Sequence, residues 1–376
     1  MTVGLLPALG GGIRELQAGG QAPRLIDGYL RPYAAAFGRL AYFSYLVESL
    51  AEFTDDRELL ERVEVLAPPR SMSRGWRAVT MSWSHPAEFR TCAVLRVFQV
   101  TGTIPAILAA ARFGVPYVTT YGFWYGRLSR PGPKRLLKRV VEFVGLRRAA
   151  AVIATTEELR ARAARLARRV EIIPNGVDTR LFAPAAPTPA APGTPRRVLF
   201  VGRLSAEKNL SALVTAAARL RTSVPVGLVF VGAGPLEDSL RRQAREAGVS
   251  LELHGVVDQR RLPALYASAD AFVLASFTEG HPKVLLEAMS SGLPCVASDC
   301  AGNRSLVVDG LTGLLFDARQ PDELADRLER VLRDPTLAAT LGRAAREAIV
   351  ERYDLSACVA REIALLGSLG RSGTSA

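Results

Sequence analysis

The sequence contains few of the side chains that most often bind metal ions. Its 376 residues include only three histidines, which are widely scattered, and no Asp-x-Asp sequence occurs. None of the four cysteines has the spacing of a metal-ligand pair; they are Cys92, Cys295, Cys300 and Cys358. These absences predict buried or reduced thiols and a site that uses no metal and no cofactor.

Long hydrophobic runs are also absent. No segment reaches the roughly 18 uninterrupted apolar residues of a membrane-spanning helix. The first residues lack the charged region and the cleavage pattern of a secretory signal. We therefore expect a cytoplasmic protein without a transmembrane span, either free or peripheral on the inner face of the cell membrane.

Acidic residues are scarce in the first half of the chain. Residues 1–185 hold 26 Lys plus Arg against 15 Asp plus Glu, whereas residues 186–376 hold 22 against 21. Residues 112–169 alone hold 14 basic and 3 acidic residues. A basic chain can bind nucleic acid, but that interpretation leaves the motifs of the second half unexplained, so no nucleic-acid partner is expected.

The basic region 127–169 contains a predicted amphipathic helix. Lys134 and Lys138 share one helix face, and another face is apolar; its residues are Leu136, Leu137, Val140 and Val144. Helices of this kind bind anionic membrane surfaces, and the neighbouring aromatic residues 123–125 favour the interface. We predict peripheral contact with an anionic membrane; the alternative is a solvated helix in an arginine-rich chain.

A run of proline and small residues without charge occupies residues 183–195. Such a segment does not form a core element and is typical of a semi-rigid linker. The chain is long enough for two cores of ordinary domain size. The sequence therefore predicts an amino-terminal domain at 1–182 and a carboxyl-terminal domain at 196–352.

Apolar strands alternate with helical patterns after this linker. Strands are predicted at 198–201, 227–231 and 251–253, with helices at 210–220 and 236–247. This order predicts a parallel sheet covered on both faces, with ligands beyond the carboxyl ends of the strands.

The amino-terminal half is also α/β, with a less regular pattern. Its predicted strands are 40–45, 64–67, 97–100, 117–120, 151–154 and 170–173. Its predicted helices are 24–36, 104–113, 134–146 and 157–166.

Two glutamates, Glu279 and Glu287, lie eight residues apart around Pro282. A strand is predicted before them and a helix from Pro282 onward, because proline suits the first helical position. The free N–H groups of that helix end attract phosphate. Glu287 would lie about 7.5 Å further along the axis, in reach of a ribose. Glu279, in the loop, would meet a sugar.

Cations are needed beside two carboxylates if the site is to hold a diphosphate. The loop Gly202-Arg203-Leu204-Ser205-Ala206-Glu207-Lys208-Asn209 supplies Arg203 and Lys208. The planar guanidinium fork and the point charge of lysine can together stabilise a departing nucleoside diphosphate without metal.

These two motifs resemble the retaining family 4 glycosyltransferases of GT-B fold, whose hallmarks are Glu-x7-Glu and a Gly-Arg-Leu-x-x-x-Lys-Asn loop. The resemblance covers about residues 170 to 320. It includes Val231–Pro235, His254–Val256, Leu265–Asp270 and Asp309–Phe316. The resemblance implies two Rossmann-like domains that face each other across a donor-binding cleft. It also implies a terminal helix in 353–376 that crosses back to the first domain, before a disordered tail.

The resemblance also implies roles for individual residues. Arg203, Lys208 and Glu279 are the implied catalytic residues, with the two cations on the diphosphate and Glu279 on the donor sugar. Glu287 is assigned to the ribose. The other implied donor-binding residues are Gly202, His254, Val256, Gly280, His281, Pro282, Lys283 and Leu286.

Two short segments of the first half are candidates for an acceptor or phosphate loop. Gly11 and Gly12 follow a short apolar strand, where glycine permits close backbone approach; the alternative is a tight turn. Tyr121 and Gly122 follow the strand 117–120. Family members often carry histidine where this chain has Tyr121, and a tyrosine hydroxyl can still hydrogen-bond a sugar.

The predicted activity is metal-independent transfer of a sugar from a nucleoside diphosphate sugar to a hydroxyl, with anomeric configuration retained. The usual biological role of the resembled family implies a lipid-linked glycan or polysaccharide precursor of the cell envelope as acceptor. A GT-B sugar-nucleotide epimerase and a non-catalytic sugar-nucleotide-binding scaffold are the alternatives. The base, the sugar, the acceptor and the oligomeric state do not follow from the sequence.

Overall fold

Residues 1–123, 133–185 and 194–372 are described in the structure, a computed structural model. Parts of three sequence predictions lie outside these ranges. They are the aromatic and basic segment at 124–132, the centre of the linker at 186–193, and the tail after residue 372.

The chain divides into two compact units. Unit 1 comprises Met1–Pro174 together with Ala357–Ala376, and unit 2 comprises Asn175–Ser356. The first division therefore falls at Pro174, ahead of the segment 183–195 that was predicted as the linker. The residues from Ala357 onward belong to unit 1.

Unit 1 contains a seven-stranded parallel sheet in the order β3-β2-β1-β4-β5-β6-β7. The strands are β1 (Thr2–Leu6), β2 (Arg39–Phe43), β3 (Val63–Leu66), β4 (Cys92–Val97), β5 (Tyr117–Tyr121), β6 (Ala151–Ala154) and β7 (Val170–Ile172). The helices are α1 (Ile13–Ala18), α2 (Ala22–Leu25), α3 (Arg31–Phe37), α4 (Arg57–Arg62), α5 (Arg74–Ser84), α6 (Pro86–Thr91), α7 (Thr103–Phe113), α8 (Pro133–Arg148) and α9 (Glu157–Ala163).

Two local predictions for unit 1 were wrong. The strand expected at 97–100 is β4, which ends at Val97, and Val100–Gly102 forms a 3-10 turn instead. The helix expected at 24–36 is interrupted by a π-helical turn at Ile26–Leu30. Helices α1, α4, α5 and α6 were not predicted. Arg96 of β4 and Arg77 of α5 are buried charged residues, which interrupt the apolar pattern of these two elements.

Unit 2 contains a six-stranded parallel sheet in the order β10-β9-β8-β11-β12-β13. The strands are β8 (Arg196–Val201), β9 (Val226–Val231), β10 (Ser250–Leu253), β11 (Ala271–Leu274), β12 (Cys295–Ser298) and β13 (Leu314–Phe316). The helices are α10 (Leu210–Leu220), α11 (Glu237–Glu246), α12 (Leu262–Ala267), α13 (Lys283–Ser290), α14 (Ala301–Arg304), α15 (Pro321–Arg333) and α16 (Pro335–Arg352).

The central strands of unit 2 are apolar along their whole length. Every residue of β11 and β12 is buried. Strands covered by helices on both faces lose the apolar-polar alternation of a half-exposed sheet, which is why they read as short continuous apolar runs. The α/β fold with two parallel sheets, predicted from the alternating pattern, is confirmed.

The last helix, α17 (Leu355–Ser372), is tied to unit 1 by a buried ion pair. Oε2 of Glu362 lies 2.7 Å from Nη2 of Arg96, a residue of β4. The same oxygen accepts a hydrogen bond of 2.6 Å from the hydroxyl of Tyr33. Glu362 and Arg96 are both nearly inaccessible to solvent. Each charge therefore offsets the desolvation cost of burying the other.

Across the three described ranges, every helix is too short or too polar to cross a bilayer.

Candidate active site

The candidate site of unit 2 lies where the order of its strands reverses. The chain runs outward from β8 to β9 and β10, then returns to place β11 on the other side of β8. The carboxyl ends of β8 and β11 therefore border the switch point of the sheet, where open α/β sheets bind ligands. The Arg203–Lys208 loop follows β8, and the Glu279 loop follows β11.

Glycine allows the loop after β8 to approach its neighbour closely. Gly202 has φ of +153°, and Gly232, after β9, has φ of +132°. A Cβ on Gly232 would lie 2.0 Å from the carbonyl oxygen of Gly202, so no other residue fits there. The ends of β8 and β9 are therefore packed closely together, directly before Arg203 in the chain.

Lys208 ends a 3-10 turn at Ala206–Lys208. The next residue, Asn209, has φ of +54° and donates from its side chain to the carbonyl of Ala318 at 2.8 Å. This anchored left-handed residue turns the chain into α10. The turn thereby fixes the main chain at Lys208.

Lys208 and Glu279 are in direct contact. Nζ of Lys208 lies 2.6 Å from Oε1 of Glu279, and the two side chains are only 19% and 11% exposed. The hydroxyl of Ser276 donates to the same carboxylate oxygen at 2.6 Å. The structure thus brings together two of the three residues predicted to be catalytic, and it fixes the orientation of Glu279.

Several supporting residues were missed by sequence reasoning. Ser298 of β12 donates to the carbonyl of Ser276 at 2.5 Å, and the amide of Asn303 donates to Ser298. A Cβ on Gly302 would lie 2.5 Å from the carbonyl oxygen of Glu279. These residues come from the next strand and helix, so local spacing around Glu279 could not reveal them.

Arg203 differs from Lys208 in being exposed. Its guanidinium has no ion-pair partner among the described side chains, and its charge contributes to lowering the pKa of Glu207, after the hydrogen bond from Ser205. An exposed guanidinium at the switch point can still bind an anion. This agrees with the predicted contact with a diphosphate, which stays a prediction.

The sequence predicted Pro282 at the first helical position, and this prediction was wrong by one residue. Pro282 precedes α13 with extended ψ of 117°, and α13 begins at Lys283. Its carbonyl already accepts the first helical hydrogen bond, from the N–H of Leu286 at 3.3 Å. The carbonyl of His281 accepts from the Asn175 side chain at 2.8 Å, which restrains this loop.

Glu287 lies in α13 and is almost completely buried. Oε2 accepts from the hydroxyl of Tyr266 at 3.1 Å, and the amide of Gln259 lies 3.4 Å from Oε1. Burial and the adjacent carboxylate raise the pKa of Tyr266, which therefore stays a neutral donor. Tyr266 belongs to the segment Leu265–Asp270 that carries the resemblance, but no role had been predicted for it or for Gln259. The ribose contact assigned to Glu287 stays a prediction.

The loop predicted to border the nucleobase follows β10. His254 and Val256 are both exposed, and Nε2 of His254 lies 3.4 Å from Oε2 of Glu252. Gly255 has φ of +64°, and its carbonyl accepts from the N–H of Gly232 at 2.7 Å. The loop is thereby joined to the end of β9. Of the other predicted donor contacts, Gly280 is half-buried, Leu286 is buried and Lys283 is exposed.

In unit 1, Gly12 precedes α1 and lies against a buried carboxylate. Glu48 accepts from the N–H groups of Ile13 and Arg14 at 2.9 and 2.8 Å and from the hydroxyl of Ser44 at 2.5 Å. A Cβ on Gly12 would lie 2.6 Å from Oε1 of Glu48. Close approach is thus the reason for glycine at this position. Gly11 donates to the carbonyl of Ala8, as in a tight turn.

Tyr121 is completely buried at the end of β5. Its hydroxyl donates to Oε1 of Glu142 at 2.7 Å and accepts from Nε of Arg162 at 2.9 Å. Burial, followed by the hydrogen bond and charge of Glu142, raises the pKa of Tyr121. The hydroxyl is therefore engaged within unit 1. Gly122, half-buried, follows it.

Two family models match the chain and together cover most of it. The model described as Glycosyl transferases group 1 matches residues 186–348, and Glycosyltransferase Family 4 matches residues 40–181. The D-inositol 3-phosphate glycosyltransferase of Frankia alni is 35% identical over 274 residues, which are 64% of this chain and 67% of the relative. The chain belongs to the family 4 glycosyltransferases of GT-B fold.

Other relatives match a smaller part of the chain. The GDP-mannose-dependent alpha-(1-6)-phosphatidylinositol monomannoside mannosyltransferase of Mycobacterium tuberculosis is 34% identical over 203 residues. The match covers 49% of this chain and 52% of that protein. The chain thus spans about half the length of the first curated relatives it matches.

Solved structures agree with the GT-B fold. Sucrose-phosphate synthase from Thermosynechococcus elongatus superposes with a TM-score of 0.79 at 22% identity, covering 99% of this chain and all of that one. The HepE protein of Anabaena, in complex with UDP and glucose, gives a TM-score of 0.75 at 20% identity, covering 98% of this chain and 100% of HepE. At these identities the likeness shows the fold alone.

Proposed function

We propose that this protein transfers a sugar from a nucleoside diphosphate sugar to an acceptor hydroxyl, with retention of anomeric configuration and without a metal ion. The observation that carries the proposal is the Lys208–Glu279 contact at the switch point of the unit 2 sheet. In this pair, the Lys208 ammonium is available to the leaving diphosphate and the Glu279 carboxylate to the sugar attached to it.

The reaction breaks the bond between the anomeric carbon and the diphosphate oxygen. Negative charge develops on that oxygen, where Arg203 and Lys208 stabilise it; fixed charges aimed at a developing charge contribute most to catalysis. The acceptor oxygen then bonds to the anomeric carbon on the same face. Its proton passes to the departing phosphate, so the step needs no separate protein base.

Glu279 has a positioning role in this proposal. Lys208 and Ser276 both bind Oε1, which leaves Oε2 as the atom to accept hydrogen bonds from sugar hydroxyls. The alternative is that Glu279 attacks the anomeric carbon as a nucleophile, as carboxylates do in retaining glycosidases. A covalent sugar on Glu279, detected by mass spectrometry after quenching, would decide for that alternative.

The donor base and sugar are open to a direct screen. HepE is recorded with UDP and UDP-glucose, and the mycobacterial relative is named for GDP-mannose, so both bases belong in the screen. UDP-, GDP-, ADP- and TDP-sugars are added without metal, and the melting temperature is measured, because a ligand that binds the native state raises it. We expect one base family to stabilise the protein.

Glu287→Gln serves as the variant for this screen, since it keeps the shape of the side chain beside Tyr266. We expect the donor-induced shift to fall or vanish in this variant. No shift with any nucleotide sugar would contradict the proposed donor site. A shift without any release of nucleoside diphosphate in the presence of candidate acceptors would favour the non-catalytic scaffold.

We also propose that the acceptor is lipid-linked and that unit 1 docks on an anionic membrane at its cytoplasmic face. The apolar residues Leu136, Leu137 and Val140 of α8 are 64%, 63% and 50% exposed, and Phe143 is 48% exposed. The apolar side of this basic helix is therefore open to solvent. An exposed apolar side flanked by cations matches an anionic bilayer surface.

Vesicle sedimentation tests the docking surface. The variant Leu137→Ser/Phe143→Ser removes half of the exposed large apolar residues of α8, and Leu311→Ser/Val350→Ser is the control, with slightly less exposed residues of unit 2. We expect the α8 variant alone to lose binding to vesicles of phosphatidylcholine and phosphatidylglycerol. Equal binding by both variants, or no binding by the wild type at low salt, would contradict membrane docking.

A further inference from the structure

A cleft of 610 Å³ lies in unit 1, away from the predicted acceptor residues. It opens at the amino ends of β5 and β6, between Pro116 and Ala150, whereas Tyr121 and Gly122 follow the carboxyl end of β5. Its volume falls in the range of small-molecule pockets. The cleft is therefore a second candidate site, and nothing in the proposed glycosyl transfer depends on it.

Three arginines line this cleft, and they come from two parts of the chain. Arg147 and Arg148 end α8, and Arg168 lies in the loop between α9 and β7. No carboxylate is among the described residues that line it. We call the cavity that Arg147, Arg148 and Arg168 line the arginine cleft.

The three guanidinium groups have no counter-ion in the described part of the chain. Elsewhere in unit 1 exposed arginines do pair, as Arg160 does with Glu157 and Arg169 with Glu171. Three positive charges lining one cleft give it a positive potential, which favours an anion that enters it. The planar fork of arginine matches phosphate oxygens in particular.

The helix dipole accounts for only two of the three arginines that line the cleft. Cations in the last turn of a helix compensate for its free carbonyl groups, which explains Arg147 and Arg148 at the end of α8. Arg168 lies outside any helix, beyond the end of α9 at Ala163. Its place in the cleft therefore needs another explanation.

We propose that the arginine cleft binds a phosphate group, carried either by a lipid headgroup or by a small soluble phosphate ester. The volume exceeds what a bare phosphate fills, so the group attached to the phosphate enters as well. The apolar residues of α8 favour the lipid: Leu136, Val140, Phe143 and Arg147 follow each other at helical spacing on one face. A helix lying on a membrane along this face would bring the cleft to the headgroups.

Inorganic phosphate is the first probe, measured by isothermal titration calorimetry on the full chain at constant ionic strength. The cleft variant is Arg147→Gln/Arg148→Gln/Arg168→Gln. The control variant is Arg57→Gln/Arg62→Gln/Arg70→Gln, which removes the same charge in and after α4, beside the opposite edge strand β3. We expect saturable binding by wild type and control, and a Kd raised at least about tenfold in the cleft variant.

Arg168→Gln alone serves as the second variant, because it leaves the end of α8 unchanged. A weaker but measurable rise in Kd is expected from it, with an unchanged melting temperature. The proposal is overturned if the wild type shows no saturable phosphate binding, or if the cleft variants bind phosphate as the control does. The arginines would then only compensate for helix ends and solvate the surface.

Competition with vesicles distinguishes the two sources of phosphate. Inorganic phosphate is added to protein on phosphatidylglycerol vesicles, with chloride of equal ionic strength as the reference. Release of the wild type by phosphate, but not by chloride, supports a lipid headgroup in the cleft. Saturable phosphate binding without release from vesicles supports a soluble phosphate ester.

Discussion

Nζ of Lys208 and Oε1 of Glu279 lie 2.6 Å apart, although 71 positions separate the two residues in the sequence. Both side chains are largely shielded from water, so the attraction between their charges is stronger than that of an exposed pair. A bound diphosphate would offer Lys208 a second anionic partner. The lysine would then lie between the leaving group and the carboxylate that holds the sugar.

Replacing Lys208 should reduce catalysis far more than folding. Lys208→Ala removes a positive charge aimed at the leaving diphosphate, and we expect kcat to fall by about 10²–10³-fold, as for the loss of other preorganised electrostatic groups. Nucleoside diphosphate release under donor saturation is the measurement. Arg242→Ala, an exposed arginine of α11, is the control and should leave kcat unchanged. An unchanged kcat for Lys208→Ala would exclude the lysine from the mechanism.

The buried pair between Arg96 and Glu362 should be costly to break from one side. Glu362→Ala leaves the Arg96 guanidinium buried without a counter-charge, and we expect the free energy of unfolding to fall by about 3–5 kcal/mol. The double variant Arg96→Met/Glu362→Leu should recover much of that loss. Urea denaturation gives the values. Asp27→Ala, which breaks an exposed pair with Arg31, should cost less than about 1 kcal/mol.

Two buried tyrosines of β5 provide a matched comparison. Tyr121→Phe removes a donor to the carboxylate of Glu142, and Tyr117→Phe removes a donor to the carbonyl of Gly145. Hydrogen bonds to charged groups contribute about 1.5–3 kcal/mol and neutral ones about 0.5–1.5. We therefore expect the greater loss of unfolding free energy for Tyr121→Phe. The reverse order would show that the Glu142 contact is weak in solution.

Stability should depend on pH through His85. Its Nε2 lies 3.1 Å from Nη2 of Arg77, which suits a neutral imidazole that accepts a hydrogen bond. Burial, followed by the charge of Arg77, lowers the pKa of His85 below its usual 6.5, with Glu88 acting in the opposite direction. The unfolded chain thus binds the proton more readily, and stability falls as pH drops below about 6.5.

The measurement is the free energy of unfolding between about pH 7.5 and 5, above the range in which most carboxylates titrate. His85→Gln keeps a hydrogen-bond acceptor for Arg77 and cannot take up a proton, so its stability should decline less over this range. Parallel curves for wild type and variant would show that His85 does not titrate between the two states.

The elements of unit 2 could be predicted closely because their sequences follow local rules. Strands such as β11 are short apolar runs, and helices such as α10 begin after a loop and repeat apolar residues at helical spacing. Pro282 was displaced by one position only. Lys208 and Glu279 were also assigned to one site, in two loops that each follow a strand, whereas their direct contact was not predicted.

Unit 1 was harder to predict because distant residues compensate its buried charges. Arg96 interrupts the apolar pattern of β4, and its counter-charge lies 266 residues away at Glu362. Arg77 of α5 is wholly buried, with hydrogen bonds to the carbonyls of Ser44 and Leu66. The partners of Tyr121 likewise come from two separate helices. No local pattern contains this information.

Glu362 belongs to unit 1 but follows all of unit 2 in the sequence, so the ribosome synthesises it after unit 2. Synthesis delivers residues 1–174, which contain all seven β-strands of unit 1, before any residue of unit 2 exists. Arg96 therefore has no counter-charge until α17, which contains Glu362, has been translated. Domains generally fold as units during synthesis. Here the unit that begins first is completed last, after the whole of unit 2 has emerged.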